Sequence, residues 1–159
     1  MDEQVKAAIG DALGRVVSGC FVLTAQAGEE STGMLASWVQ QAGFDPPTVT
    51  ACVKKARPIE RLIDESGHFV LNVIGDDPSA LFKHFGKGFE PGEDAFVGLD
   101  VDRHPAGVAL TDCPGHLGCR VIGKHDAGDH WLYLAEVIGG RGDAERPPYV
   151  HIRKNGFSY

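Results

Sequence analysis

The sequence predicts a mainly β (α+β) domain: an antiparallel barrel, closed or partly closed, with short helices at its periphery. Three observations carry this. Runs of β-forming residues are many and short, and turn residues bound them. Helical patterns are confined to the first segment and to two starts headed by proline. Strand and helix patterns do not alternate along the chain, which favours an antiparallel barrel over a β-α-β layout.

Taken in order, the segment from Asp2 to Val16 places Val5, Ala8, Ile9, Ala12, Leu13 and Val16 at spacings of three and four. That is the pattern of an amphipathic helix with a face to cover something. Val17 to Gln26 is rich in β-formers and ends in the turn-like Ala-Gly-Glu-Glu, and Thr32 to Gln40 reads as the returning strand of a hairpin. Further strands are predicted at Pro47–Lys54, Phe69–Ile74, Gly115–Lys124 and Trp131–Gly139. Arg57-Pro58 opens one short helix with proline at its first position, where a missing N–H costs nothing. Asp77-Pro78 opens another, with Asp77 as its expected cap. Gly86 to Gly107 is rich in Gly, Pro and charge without periodicity and is expected to be a long surface loop over a site.

With 159 residues and 17.0 kDa, residues 1–159 form one domain able to bury a core without disulfide or metal staples. Fifteen Lys and Arg against 22 Asp and Glu give a net charge of −7, which argues against nucleic acid or an anionic membrane as the main partner. Any anion site is therefore local. Neither a leader pattern nor a membrane-length apolar run is seen, so a soluble cytoplasmic protein is expected. Cys20, Cys52, Cys113 and Cys119 contain no C-x-x-C pair and are expected to be free thiols. Cys113-Pro-Gly-His116-Leu-Gly-Cys119 has zinc-ligand chemistry but no fourth ligand, and is read as a structural turn. No metal is expected.

The stretch Gly33–Pro47, GMLASWVQQAGFDPP, sets a small Ala36-Ser37 step beside bulky Trp38. A strand that only fills a core would favour branched residues throughout, so small ones suggest that something approaches the backbone. Lys54, Lys55 and Arg57 cluster where a strand meets the start of a helix, and the helix dipole and free N–H groups would join them in attracting phosphate. Surface cations need no explanation by themselves. The neighbouring Ala-Ser step favours an anion site, if strand 32–40 lies beside strand 47–54. Asn72 interrupts the apolar run Phe69–Ile74, so its amide is either tied to backbone or holds a polar ligand edge. His84 either lines a helix face or takes a site role. His130, at a strand entrance, either caps the turn or faces a cofactor, where an imidazole can exchange a proton near neutral pH. The chain has no G-x-S-x-G elbow, H-E-x-x-H pair, P-loop or Rossmann glycine motif. Without an evident protein nucleophile, a cofactor is expected to carry the chemistry.

Val22-Leu-Thr-Ala25, Gly33-Met-Leu-Ala-Ser-Trp38, Phe44-Asp-Pro-Pro47, Phe69-Val-Leu-Asn-Val73 and Gly128-Asp-His130 together resemble the flavin reductase-like family of FMN-binding split β-barrels. The nearer likeness is to the flavin reductase module of cyanobacterial diflavin (flavodiiron) flavoproteins, where the run Val150–Tyr159 is also similar. The resemblance runs from about Gly14 to Tyr159. It implies an antiparallel split β-barrel of Greek-key type, a homodimer, and non-covalent FMN. Met34, Leu35, Ala36, Ser37 and Trp38 would lie along the flavin, with Ser37 binding its polar part. Lys54, Lys55 and Arg57 would form the phosphate turn, and Asn72 would stand beside the isoalloxazine. Val53, His84 and Phe85 complete the cofactor-binding set, and His130 would be the catalytic residue near flavin and nicotinamide. The implied function is an NAD(P)H:flavin oxidoreductase that passes electrons to oxygen, free flavin or a diiron partner, with NAD(P)H as co-substrate. The alternative is a module that holds FMN for electron transfer or interaction and turns over little NAD(P)H alone. A longer chain with a diiron or flavodoxin-like module is a further implied partner.

Overall fold

A computed structural model describes residues Met1–Tyr159. Its centre is one seven-stranded antiparallel sheet in the order β2-β1-β5-β8-β9-β4-β3. The strands are β1 (Phe21–Ala27), β2 (Glu30–Ala36), β3 (Val39–Phe44), β4 (Pro47–Lys54), β5 (His68–Val73), β8 (Gly115–Asp126) and β9 (His130–Gly142). The edge strands β2 and β3 are consecutive in the chain, and only Ser37 and Trp38 separate them. With both edges tied by so short a link, the sheet must curl upon itself. The Cys52 N–H donates to the Trp38 carbonyl at 2.9 Å and fastens the seam to β4. Because β4 and β5 are successive in the chain but separated in the sheet by β9 and β8, their connection crosses the barrel end.

Helix α2 (Pro58–Ser66) makes that crossing. Its Ile59, Leu62 and Ile63 pack into the core formed by Leu23, Val53, Phe69, Leu71 and Tyr133. Each such aliphatic side chain contributes about 1.5–3 kcal/mol by leaving water. Gly67, at φ 70°, ends the helix in the left-handed region, where glycine pays no Cβ penalty, and its N–H donates to the Ile63 carbonyl. Helix α3 (Ser79–Phe85) follows β5, and a second, two-stranded sheet pairs β6 (Val101–His104) with β7 (Gly107–Leu110).

Several expectations change. The strand predicted over Thr32–Gln40 is two strands on opposite sheet edges. Its break at Ser37-Trp38 has no hydrophobic signature, and β3 is largely solvent-facing, so its period was hidden. The predicted pairing of 32–40 with 47–54 holds only for β3. The first hairpin strand starts at Phe21 and not Val17, since Ser18 bridges His151 instead. The loop predicted over Gly86–Gly107 contains β6, whose four residues are too few to show a period. Asp77 does not cap α3, which begins two residues later with Pro78 in the capping place and no side-chain cap. Helix α1 (Glu3–Gly14) forms as predicted and is capped by Asp2, but it buries only Gly10 and Gly14. Val5, Ile9 and Leu13 face outward. No helix is long and apolar enough to cross a membrane. All four cysteines are free, and no group of three or more His, Cys, Asp or Glu side chains converges as a metal site would require.

Candidate functional site

The sheet seam opens into a cavity of about 390 Å³. This lies within the range of about 300–1,000 Å³ usual for small-molecule sites. Met34 to Trp38 form one wall at the point where the chain leaves β2 for β3. Ala36 and Ser37 keep that wall thin, as a chain approached closely by a ligand requires. Phe82 and Phe85 of α3, with Gly86 and Gly88 beyond it, form the facing side. The rim is completed by Cys20, Cys52, Lys54, Arg57, His151 and Tyr159.

Alternation along β4 decides which basic-turn residues reach the cavity. Side chains on a strand point to opposite faces in turn, so Cys52 and Lys54 line the cavity while Val53 is fully buried in the core. Lys55 also points away: its ammonium sits 2.7 Å from Asp126 and 4.4 Å above the Trp131 ring. At Ala56 the backbone takes φ 64°, a left-handed turn that costs a non-glycine residue roughly 1–2 kcal/mol. This turn reverses the chain into α2 and brings Arg57 back to the cavity. The Ala56 N–H donates to the Glu60 carboxylate at 2.9 Å, so the helix start supplies part of its own negative partner. The attraction for an outside anion therefore rests on Lys54 and Arg57. Neither takes part in an ion pair. Two uncommitted cations at the end of a mostly apolar cavity fit a ligand with a flat apolar body and an anionic end.

His130 opens β9 directly opposite Lys54 in the ladder. It is 5% exposed, and both ring nitrogens are engaged: Nδ1 with Asp129 Oδ1 at 2.8 Å, Nε2 with the Tyr159 hydroxyl at 2.6 Å. Its ring lies 4.7 Å from Trp38, tilted by 48°. It therefore meets the cavity through Trp38 and Tyr159, which line it. The hydrogen bond from His130 holds the Asp129 carboxyl below the usual carboxylate range. Burial raises the Tyr159 hydroxyl above its ordinary value and so keeps it a donor at neutral pH. Burial likewise raises Cys52, and pushes Cys20 to about 11, leaving the cavity thiols protonated and poorly nucleophilic.

Of the predicted site residues, Met34, Leu35, Ala36, Ser37, Trp38, Lys54, Arg57 and Phe85 meet at the cavity. Val53 and Lys55 do not, for the reason of strand alternation. Asn72 does not either. It is fully buried, its Oδ1 accepts from Leu110 N at 2.7 Å and its Nδ2 donates to the Val22 carbonyl at 3.1 Å. The amide therefore clamps β7 onto β1 and β5, which is the backbone-tie alternative. His84 turns to a separate groove and engages the Ala95 carbonyl through Nε2 at 2.8 Å. Sequence reasoning missed Cys20, His151 and Tyr159, which come from distant segments with no common spacing, and Phe82, Gly86 and Gly88, which flank the predicted Phe85 and, for Phe82, share its helix face at i, i+3. Cys52 could have been found, because it shares a strand face with Lys54.

The family model of the flavin reductase-like domain matches residues 13–158. Diflavin flavoprotein A 1 of Synechocystis sp. (strain ATCC 27184 / PCC 6803 / Kazusa) is 42% identical over 151 residues, covering 93% of this chain and 26% of that protein. The chain thus spans about a quarter of the length of that relative. Among solved structures, the Streptomyces globisporus C-1027 NADH:FAD oxidoreductase SgcE6 shares the fold with a TM-score of 0.83 at 24% identity, over 95% of this chain and 88% of that one. The flavin reductase PheA2 does so with a TM-score of 0.78 at 21% identity, over 96% and 94%.

Proposed function

The chain belongs to the flavin reductase-like domain family, a family of oxidoreductases, and on that premise we propose that it binds FMN non-covalently in the seam cavity and oxidises NAD(P)H. Flavin held there would take electrons from reduced nicotinamide and pass them to oxygen, free flavin or a diiron partner. The observation that carries this reading is the pair of unpaired cations, Lys54 and Arg57, at the end of an apolar cavity in a chain of net charge −7. Such a cavity suits a phosphate attached to a flat aromatic body, and the Lys and Arg together favour a phosphate end.

Met34 to Trp38 would hold the ring, Ser37 would offer a hydroxyl, and Lys54 with Arg57 would take the phosphate. Bound flavin supplies the chemistry that the side chains lack, accepting hydride and holding two electrons. Phe82, Phe85 and Met34 line the cavity and would shield a bound ligand from water, which would strengthen the charge interactions there. His130 is held with its proton on Nδ1 by Asp129, an acceptor only, and, buried behind Trp38 and Tyr159, would act on bound nicotinamide through the placement of those two side chains.

Two wider features belong to the same proposal. The outward apolar face of α1 supports a homodimer. The quarter-length match to a diflavin flavoprotein supports a partner module carried on the same longer chain, as the source or sink of electrons. The deciding experiment is an absorption spectrum before and after FMN addition and desalting, followed by anaerobic NADH or NADPH. Retained flavin that bleaches is the expected result and identifies the donor. Retained flavin that stays oxidised would favour an electron-transfer module, and loss of flavin from folded protein would end the FMN proposal.

A further inference from the structure

Segment 148–159 reaches the site by a route that glycines on α1 make possible. Tyr149 N donates to the Ile74 carbonyl, and His151 pairs with Ser18. The segment then crosses α1 at Gly10 and Gly14. A Cβ on Gly14 would stand 3.1 Å from the Arg153 carbonyl oxygen, and one on Gly10 would stand 2.8 Å from Asn155 Nδ2. Gly156 N donates to the Gly10 carbonyl at 2.7 Å, and Arg153 donates to the Leu13 carbonyl at 3.3 Å. This explains why glycines are the only buried residues of α1. At the crossing Arg153 lies 5.2 Å above the Trp38 ring, and beyond it Tyr159 returns to the cavity with its ring 5.7 Å from Trp38.

We propose that Tyr159 is a positioning residue for His130, seated by the Gly10/Gly14 notch of α1 so that its hydroxyl fixes the plane of an imidazole whose Nδ1 proton Asp129 holds. The chemistry of the three groups gives the direction of each bond. The Asp129 carboxylate can only accept, so Nδ1 carries the proton and donates. In the neutral ring Nε2 is then a bare acceptor, and the Tyr159 O–H donates to it. A ring held at both nitrogens cannot flip, and its face is kept against Trp38. The charges of Arg57, Asp129 and Arg153, and the Cys52 thiol, also act on the Tyr159 hydroxyl. The catalytic consequence rests on the flavin reductase reading; the hydrogen-bond geometry does not.

The test is ¹⁵N NMR of the histidine rings in the ligand-free protein, wild type against Tyr159→Phe, which keeps the ring and removes the hydroxyl. Wild type is expected to show His130 with protonated Nδ1 and a hydrogen-bonded acceptor Nε2, and Tyr159→Phe to keep the Nδ1 proton while the Nε2 resonance moves to that of an acceptor without a donor. Gly14→Val should reproduce that shift by unseating the segment; if it does not fold, Tyr159→Phe decides alone. In turnover, Tyr159→Phe is expected to raise KM for reduced nicotinamide roughly three- to tenfold with kcat little changed, the range one hydrogen bond gives. An unchanged His130 pattern in Tyr159→Phe overturns the inference. FMN uptake by wild type, measured separately, keeps the two questions apart: an Nε2 shift without FMN uptake removes the flavin reading and leaves the positioning standing, whereas uptake without a shift removes the positioning alone.

Discussion

At the residue scale, the fate of three adjacent cations shows how position along a strand sorts one charge cluster into different jobs. Lys54 and Arg57 face the cavity and are unpaired, whereas Lys55 is spent on Asp126 and the Trp131 ring. Hydrogen bonds to charged groups contribute about 1.5–3 kcal/mol each, or roughly 10- to 150-fold in affinity. Replacing Lys54 and Arg57 together by Ala should therefore weaken FMN by at least about 10-fold, at the low end of that range. Riboflavin, which has no phosphate, should change much less, and Lys55→Ala should leave both ligands nearly as they are. Fluorescence titration with the two flavins checks this. Equal losses for FMN and riboflavin would remove the phosphate from the Lys54 and Arg57 end of the cavity.

At the element scale, α2 is the plug of the barrel, and its outer side is tied to β8 and β9 by a buried phenol and a lysine. Tyr133 donates to Asp64 at 3.1 Å, and Lys124 reaches Asp64 at 2.7 Å and Glu60 at 3.3 Å. Burial pushes the Tyr133 hydroxyl up to about 12 from its ordinary 10. A raised acid favours the folded state while it stays protonated, so this share of stability is whole below pH 10 and is lost as pH rises toward 12. Roughly 2–3 kcal/mol is at stake by that shift, and the buried thiols add a loss of the same sign. The urea midpoint should fall through this window, and Tyr133→Phe should flatten the fall; an identical profile for both proteins would refute the role assigned to the phenol. The elements themselves were legible where one face is buried and a stop signal is present. Proline announced α2, and alternating or continuous apolar runs announced β4, β5, β8 and β9. What stayed hidden had a physical reason. The seam at Ser37-Trp38 is a change of partner and leaves no change in hydrophobicity, β6 and β7 are too short for a period, and Asn72 read equally well as a ligand contact until Leu110 and Val22 were seen to saturate it. For the site, one wall and two cations could be read locally, while Tyr159 and His151 depend on a chain path that only the fold reveals.

At the scale of the whole molecule, the feature that a single barrel does not use is the outer face of α1. The helix spends its buried side on glycines that seat segment 148–159, so its branched residues have nothing of this chain to cover. Val5, Ile9, Val16 and Val17 are 51%, 38%, 61% and 56% exposed. An exposed apolar helix face of this kind marks an interaction site more often than an idle one. A second copy is the occupant that fits the homodimer proposal, and a two-fold interface would be self-complementary there, since the same patch meets itself. The net charge of −7 opposes close approach of two copies, so apolar burial has to outweigh that repulsion. The wild-type chain should then sediment as a dimer, and one that tightens as added salt screens the repulsion. Val5→Asp with Ile9→Asp would add carboxylates to both sides of the interface and should give a folded monomer, read by analytical ultracentrifugation with circular dichroism as the check on folding. A wild-type monomer at the same concentration would reject the interface, as would a double variant that stays dimeric. Because Gly10 and Gly14 occupy the opposite side of the helix, the double variant should leave segment 148–159 in its notch; the Tyr159–His130 hydrogen bond, read by histidine ¹⁵N shifts, should survive the loss of the dimer.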